Sequence, residues 1–192
     1  MARTRGRDTW RTKEWYDILA PPMFGNAKIG ETLASKPEKV KDRVIETTLG
    51  DLIDDFSKTH IKVYFKIKEV ENHEAKTTFV GHDMSREYIR SQVRRRTTKI
   101  DCITNVTTSD GRKLRVTAIA VTLNRVQSSQ KKSLHSEMEN YMQERAKDYD
   151  FDQLAQQMIL GKFASDVYKH VKEICPIRRV EVKKSKVIGE EA

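Results

Sequence analysis

No apolar run in the sequence approaches the roughly 18 residues that a membrane span requires. The basic N-terminus also lacks the apolar segment of a signal peptide, which predicts a location inside the cell. Only two cysteines are present, Cys102 and Cys175, far apart and outside any Cys-x-x-Cys pair. That spacing predicts reduced, buried or half-buried thiols rather than a disulfide framework. Hydrophobic residues are scarce at 37%, while charged residues reach 34%, so the chain has little core per unit of surface. No internal repeat is visible.

Catalytic constellations are missing as well. The chain has no glycine-rich phosphate loop of the Walker or dinucleotide type and no serine or cysteine nucleophile motif. Five histidines, His60, His73, His82, His135 and His170, show no ligand-like spacing, and His170 stands apart from Cys175 across an expected helix end. Structural or surface histidines are the simpler reading. Asp51, Asp54 and Asp55 could hold a magnesium ion and so motivate a metal-dependent nuclease. A solvated helical turn complementing the helix dipole explains them with fewer assumptions. The expectation is a protein that is not an enzyme and needs no metal, cofactor or small-molecule substrate.

What the sequence has in quantity is positive charge. Lys and Arg number 37 against 28 Asp and Glu, giving a formal charge of +9 and a pI near 9.5. Such a chain attracts polyanions, and nucleic acid becomes the expected partner. The charge collects in clusters: Arg3, Arg5, Arg7, Arg11 and Lys13; then Arg86, Arg90, Arg94, Arg95, Arg96 and Lys99; then Arg112 and Lys113, running to Arg115. Arg125, Lys131 and Lys132 form another, and Arg178, Lys183 and Lys184 a last one that runs to Lys186. Each phosphate neutralised by such a residue releases condensed counterions, so affinity needs no base contact. Guanidinium groups also fork onto phosphate oxygens and stack on exposed bases. Trp10, Trp15 and Tyr16, interleaved with the first cluster, suit stacking on bases, although Trp15 could equally pin the segment to the domain. Structured RNA is expected over DNA, because no helix-turn-helix, zinc finger or zipper pattern is present.

The patterning predicts three parts: a flexible basic RNA-binding arm over residues 1–14, a single globular α+β domain over 15–188, and a short acidic tail over 189–192. Residues 15–19 read as a short turn docking on the core, and 23–39 as an ordered loop. A β-branched strand begins near Val40 and leads into a turn or short helix through Phe56. Residues 60–71 alternate cleanly, Ile61, Val63, Phe65 and Ile67 pointing one way, and return through a hairpin over 75–83. Residues 86–98 read as a helix with Ile89 and Val93 on one stripe under a cationic surface. A hairpin over 99–125 follows, its turn at Asp110 and Gly111, its second strand central because both faces are apolar. A helix capped by Ser133 carries Leu134, Met138, Tyr141 and Met142, and a second opens on a box of Asp150 with Gln153 and closes at Gly161. A third spans about 164–174, and a basic strand over 177–187 ends the pattern. The expected architecture is an antiparallel curved sheet or open β-barrel with flanking helices and the basic N-terminal arm. The Met-rich stripe from Leu134 to Ile159 also motivates a second reading, a protein-interaction module.

Several stretches in order carry a resemblance. They are residues 15–24 (Trp-Tyr-Asp-Ile-Leu-Ala-Pro-Pro-Met-Phe), 29–32 (Ile-Gly-Glu-Thr), the run from Arg43 to Leu52, 109–115 (Ser-Asp-Gly-Arg-Lys-Leu-Arg) and 130–133 (Gln-Lys-Lys-Ser). Together they resemble the small-subunit ribosomal protein family S-three-A-e, shared by archaea and eukaryotes, over nearly the whole chain. The short stretch beyond Val187 resembles the archaeal members, the eukaryotic ones carrying a longer C-terminal extension. Two positions depart from the family pattern, which favours Gly or His where Asp42 stands and Ser or Cys where Thr48 stands; both bear on local turn geometry. The resemblance implies a non-catalytic, cytoplasmic, ribosome-bound component of the small subunit's platform, near the messenger exit and the end of the small-subunit rRNA. It implies neighbouring small-subunit proteins as partners, no membrane, and rRNA contact by the arm and by residues 86–99.

Overall fold

A computed structural model describes Trp10 and residues 13–189. The described backbone gathers into two units, one built from the described residues up to Thr47 with Tyr64–Phe79, the other from Thr48–Val63 with the described residues from Val80 onward.

In the first unit, β1 (Glu14–Leu19) pairs antiparallel with β2 (Lys28–Ala34), placing Tyr16 opposite Thr32. On its other side β1 runs parallel to β5 (Glu74–Met84), with Ile18 opposite Ala75. β3 (Val44–Thr48) lies beside β4 (Ile61–Glu71), and β4 beside β5. The turn between β4 and β5 is the two-residue pair Asn72 and His73, both at positive φ, the backbone that matches the twist of a tight hairpin. Tyr16, Ile18, Ala34, Val40, Ile67 and Ala75 form the buried core of this unit. Two expectations are corrected here. Residues 15–19 are a strand rather than a docking turn, and a second strand lies hidden within 23–39. Lys28–Ala34 carries no alternation, because only Ala34 is buried along it, and an edge strand of that kind has no apolar face to print on the sequence.

The two positions that depart from the family pattern lie where a turn and a cap are made. Asp42 sits at φ 65°, a left-handed conformation that Asp tolerates better than most residues, and its carboxylate meets the Lys66 ammonium at 2.8 Å. That ammonium holds the Asp42 carboxyl below the usual carboxylate range. Thr48 caps α1 (Leu49–Ile53), its hydroxyl accepting from the Asp51 N–H at 3.2 Å and donating to the Asp51 carboxylate at 2.6 Å.

In the second unit, β6 (Lys99–Thr107), β7 (Lys113–Thr122) and β8 (Ile177–Gly189) form an antiparallel run that continues onto the end of β5, with β8 between β5 and β7. β7 is central, as its two apolar faces predict: Ala118 to Thr122 are all buried. Helix α3 (Ser128–Ala146) lies over β6, burying Leu134, Met138 and Met142 on the side of Ile100, Cys102, Thr104 and Val106. Cys102 Sγ donates to the His135 carbonyl at 3.8 Å, and Gln143 Nε2 to the Thr104 hydroxyl at 3.0 Å. Helix α5 (Lys162–Val171) covers β8 and packs with α4 (Phe151–Ile159). Both cysteines are buried free thiols, and burial pushes the Cys102 thiol up to about 11.

The expected architecture is corrected in its pairing. The strands form a mixed sheet, because β1 and β5 run parallel, and among the described residues the sheet does not close into a barrel. Two helix ends and one turn are corrected too. Gln127, not Ser133, caps α3 through a reciprocal box with Gln130, while the Ser133 hydroxyl donates back to the Ser129 carbonyl. Asp150 precedes α4 but makes no side-chain cap, since its carboxylate accepts from Ser109 Oγ at 2.6 Å. In the turn between β6 and β7, Gly111 alone takes a positive φ.

Candidate nucleic-acid interface

The cationic stretch after β5 is the first place where the structure redraws the sequence pattern. Helix α2 spans only Arg86–Gln92, opened by the Ser85 hydroxyl accepting from the Tyr88 N–H. Ile89 is buried, but Val93 adopts an extended backbone and is 36% exposed. Beyond Val93 no apolar side chain remains to bury on the helix stripe, and a β-branched residue followed by three arginines has little to hold it helical. The chain instead turns: Thr97 donates to the Arg94 carbonyl from its N–H at 3.3 Å and from its hydroxyl at 2.7 Å, with Arg96 at φ 65°. Arg94, Arg95 and Arg96 therefore stand exposed on a turn, while Arg86 and Arg90 remain exposed on α2.

That turn is tied to one end of the β6 and β7 pair. The Thr98 N–H donates to the Thr122 hydroxyl at 3.0 Å, the Thr122 N–H donates to the Thr98 carbonyl at 3.0 Å, and the Val126 N–H donates to the Thr98 hydroxyl at 3.3 Å. Thr98 thereby fastens the arginine turn to the segment that carries Arg125. At the same end Lys99, Lys131, Lys132 and His135 line an open depression of about 330 Å³ with Ile100 as its apolar wall. Lys99 is held by Asp101 at 2.9 Å. The antiparallel register brings β8 to this end as well, with Ile177 opposite Thr122, so Arg178 follows directly.

Three basic runs that are separate in the sequence, residues 94–99, Arg125 and 131–132, thus meet around one strand end. Others do not join them. Arg112 and Lys113 lie at the opposite end of the same strands, Lys113 opposite Gly189, and the Arg112 guanidinium sits 4.7 Å over the Phe151 ring. Lys183 is half-buried on β8, and Lys184 lies on the open face of the sheet, where it pairs with Asp83 at 3.2 Å. Lys13 is described, its ammonium 4.3 Å from the Trp10 ring, whereas Arg3, Arg5, Arg7 and Arg11 lie outside the described residues.

The open face carries residues that reading run by run does not single out. Arg115 stands opposite Lys186 on β8 and Asn105 on β6, and donates to Asn105 Oδ1 at 3.2 Å. Ile103, one step along β6, is 59% exposed on the same side. Only the strand register, which shifts at three points between β7 and β8, brings these positions together. Nearby, Tyr88 stacks on His60 with ring centroids 3.8 Å apart, and the Arg179 guanidinium lies 5.7 Å over Tyr88. Desolvation pushes the Tyr88 hydroxyl up and the His60 imidazole down. Among the described residues no group of His, Cys, Asp and Glu is arranged to hold a metal, and no helix is long and apolar enough to cross a membrane.

This surface presents exposed cations to solvent, the charge that a polyanion would require. The model of the Ribosomal S3Ae family matches residues 1–191. A small ribosomal subunit protein eS1 of Staphylothermus marinus is 44% identical over 182 residues, covering 95% of this chain and 86% of that protein. The eS1 proteins of Methanothrix thermoacetophila and Methanopyrus kandleri are each 45% identical, covering 98% and 96% of this chain and 90% and 89% of their own lengths. The family is one of ribosomal proteins and not of enzymes. A family match of that extent, with archaeal relatives alike over nearly their whole length, makes this chain an archaeal-type member of the Ribosomal S3Ae family.

Proposed function

We propose that the chain is a structural constituent of the small ribosomal subunit, ribosome-bound in the cytoplasm, that braces small-subunit rRNA on the platform near the messenger exit. The observation that carries this reading is the meeting of Lys99, Arg125, Lys131 and Lys132 with the exposed arginine turn at one strand end, in a chain of this family. The mechanism is electrostatic bracing. Arginines on a short, tethered turn meet phosphate oxygens without reading bases, and the depression between β6 and α3 admits a backbone phosphate among three ammonium groups. Arg115, Lys184 and Lys186 on the open sheet face offer a second track. The basic arm, with Arg3, Arg5, Arg7 and Arg11, extends the same contact along folded RNA, and neighbouring small-subunit proteins complete the surroundings.

Cosedimentation with small subunits, followed by a hydroxyl-radical footprint of their rRNA with and without the chain, tests the proposal. Protection of a contiguous rRNA surface is expected; a chain found chiefly free of ribosomes would sink it. The rival reading as a protein-interaction module drew on the Met-rich stripe, but Leu134, Met138, Met142, Leu154, Met158 and Ile159 are all buried in the chain's own core. The carboxylates that motivated a nuclease serve local structure: Asp51 in the Thr48 cap, Asp55 accepting from the Ser57 N–H at 3.0 Å.

A further inference from the structure

Phe56 leaves 92% of its surface to solvent. It opens the short turn Phe56–Lys58 between α1 and β4, and that turn is fastened from several sides. Asp55 accepts from the Ser57 N–H, the Thr59 hydroxyl donates to the Phe56 carbonyl at 2.8 Å, and His60 Nδ1 lies 3.0 Å from the Ser57 carbonyl. Asp54, at φ 55°, closes α1 with its N–H on the Gly50 carbonyl. Gly50 itself has no room for a side chain, since a Cβ there would come within 2.9 Å of Thr59 Oγ1. These contacts fix the backbone and leave the ring uncovered. With the backbone fixed, only the torsions of the ring itself remain to be ordered on binding, which suits an interface anchor.

An exposed ring can receive a nucleobase or enter an apolar pocket, and the local charge separates the two. Between Thr48 and Thr59 stand three aspartates, Asp51, Asp54 and Asp55, and one lysine, Lys58, whose ammonium lies 3.9 Å from the Asp55 carboxylate. Asp51 and Asp54 are exposed, in a chain whose net charge is +9. A phosphate backbone brought to the ring would meet that negative field, whereas a positively charged protein would be drawn by it. The next two residues, Ser57 and Lys58, line a cleft of about 440 Å³ whose wall is apolar at Met84, Ile159 and Leu160 and carries the opposite charges of Arg179 and Glu181.

We propose that this turn is a protein-docking knob: the Phe56 ring inserts into an apolar pocket of a basic protein partner, and Asp51 and Asp54 meet the cationic rim of that pocket. The proposal rests on the reading of the chain as a subunit component, which supplies the partner as a neighbouring protein of the same particle. It assigns opposite roles to two exposed turns of the chain, the arginine turn facing RNA and the Phe56 turn facing protein.

The test uses intact small subunits carrying the photoreactive substitution Phe56→p-benzoylphenylalanine, and in parallel Arg95→p-benzoylphenylalanine. Position 56 is expected to crosslink to a peptide bearing Lys or Arg beside apolar residues, with the yield lowered by Asp51→Asn together with Asp54→Asn; position 95 is expected to crosslink to rRNA. In a competition between wild-type and Phe56→Ala chains for incorporation, the variant should be disfavoured by about tenfold, with Phe56→Leu recovering part of the loss. Thermal unfolding of the isolated Phe56→Ala chain should be unchanged. A crosslink from position 56 to rRNA, no crosslink from it in particles where position 95 reacts, or equal incorporation of Phe56→Ala would each overturn the knob while leaving the rRNA reading intact. Absence of the chain from subunits altogether would overturn the rRNA reading, and the knob with it.

Discussion

The backbone N–H of Phe151 donates to the carboxylate of Asp110 at 3.0 Å across 41 residues of sequence. The β6 to β7 turn thus supplies the cap for α4 that Asp150 does not make, and Ser109 holds Asp150 aside. Asp110→Ala should cost about 1 kcal/mol, the usual cost of removing a helix cap. The midpoint of thermal unfolding would then fall by roughly 2–4 °C for a chain of this size. Asp110→Asn, which keeps an acceptor, should lose much less, and calorimetry of the three chains distinguishes them.

Stability should fall in mild acid because of His82. Its ring is fully buried, Nε2–H donating to the Val182 carbonyl at 3.1 Å and Nδ1 accepting from Ser185 Oγ at 2.7 Å. Desolvation lowers its pKa from 6.5 to about 4 despite the nearby Asp83 carboxylate. The unfolded chain therefore binds a proton below pH 6.5 that the folded chain refuses until about pH 4, so stability drops as pH falls through that window. The loss approaches roughly 3 kcal/mol at its lower end. Urea unfolding at pH 7 and pH 4.5 should show a smaller difference for His82→Gln than for the wild type.

Gly81→Ala should be among the most damaging single substitutions outside the large core residues. A Cβ at this position would fall 2.3 Å from the Ser185 carbonyl oxygen on the neighbouring strand, an atom with no freedom to retreat. A loss of roughly 3 kcal/mol is expected, seen as a lowered denaturation midpoint. An unchanged midpoint would mean that the two strands separate readily there.

Replacing Arg94, Arg95 and Arg96 together by Ala should leave folding intact, since all three are exposed on a turn. The logarithmic salt dependence of RNA binding should flatten by roughly 0.7 to 0.9 for each phosphate that the variant no longer neutralises. Lys184→Ala is a useful contrast, because its ammonium is already engaged by Asp83 and should contribute less to that slope.

Much of this was legible where one face of an element is buried. The alternation from Ile61 to Ile67 marks β4 residue by residue, and all four of those side chains are buried. Leu134, Met138 and Met142 likewise trace the inner face of α3. Elements without such a face were hidden. β2 shows none, and the parallel partner of β1 lies far along the chain, so neither its strand character nor its direction has a local signature. The candidate interface was legible as charge and not as geometry. That Lys99 meets Lys131 and Lys132 depends on how α3 lies against β6, and that Arg94 to Arg96 stand on a turn depends on where burial ends after Ile89.

The position of β8 between β5 and β7 sets a timetable for the growing chain. Strands β5, β6 and β7 leave the ribosome that makes them well before Ile177, yet β5 and β7 acquire their common neighbour only from residues 177–189. Until those residues emerge, the inner edge of β7 has no partner, and the buried side of His82 has no Ser185. Closure of this unit is therefore a late event in synthesis, and a chain released early would expose a long bare strand edge.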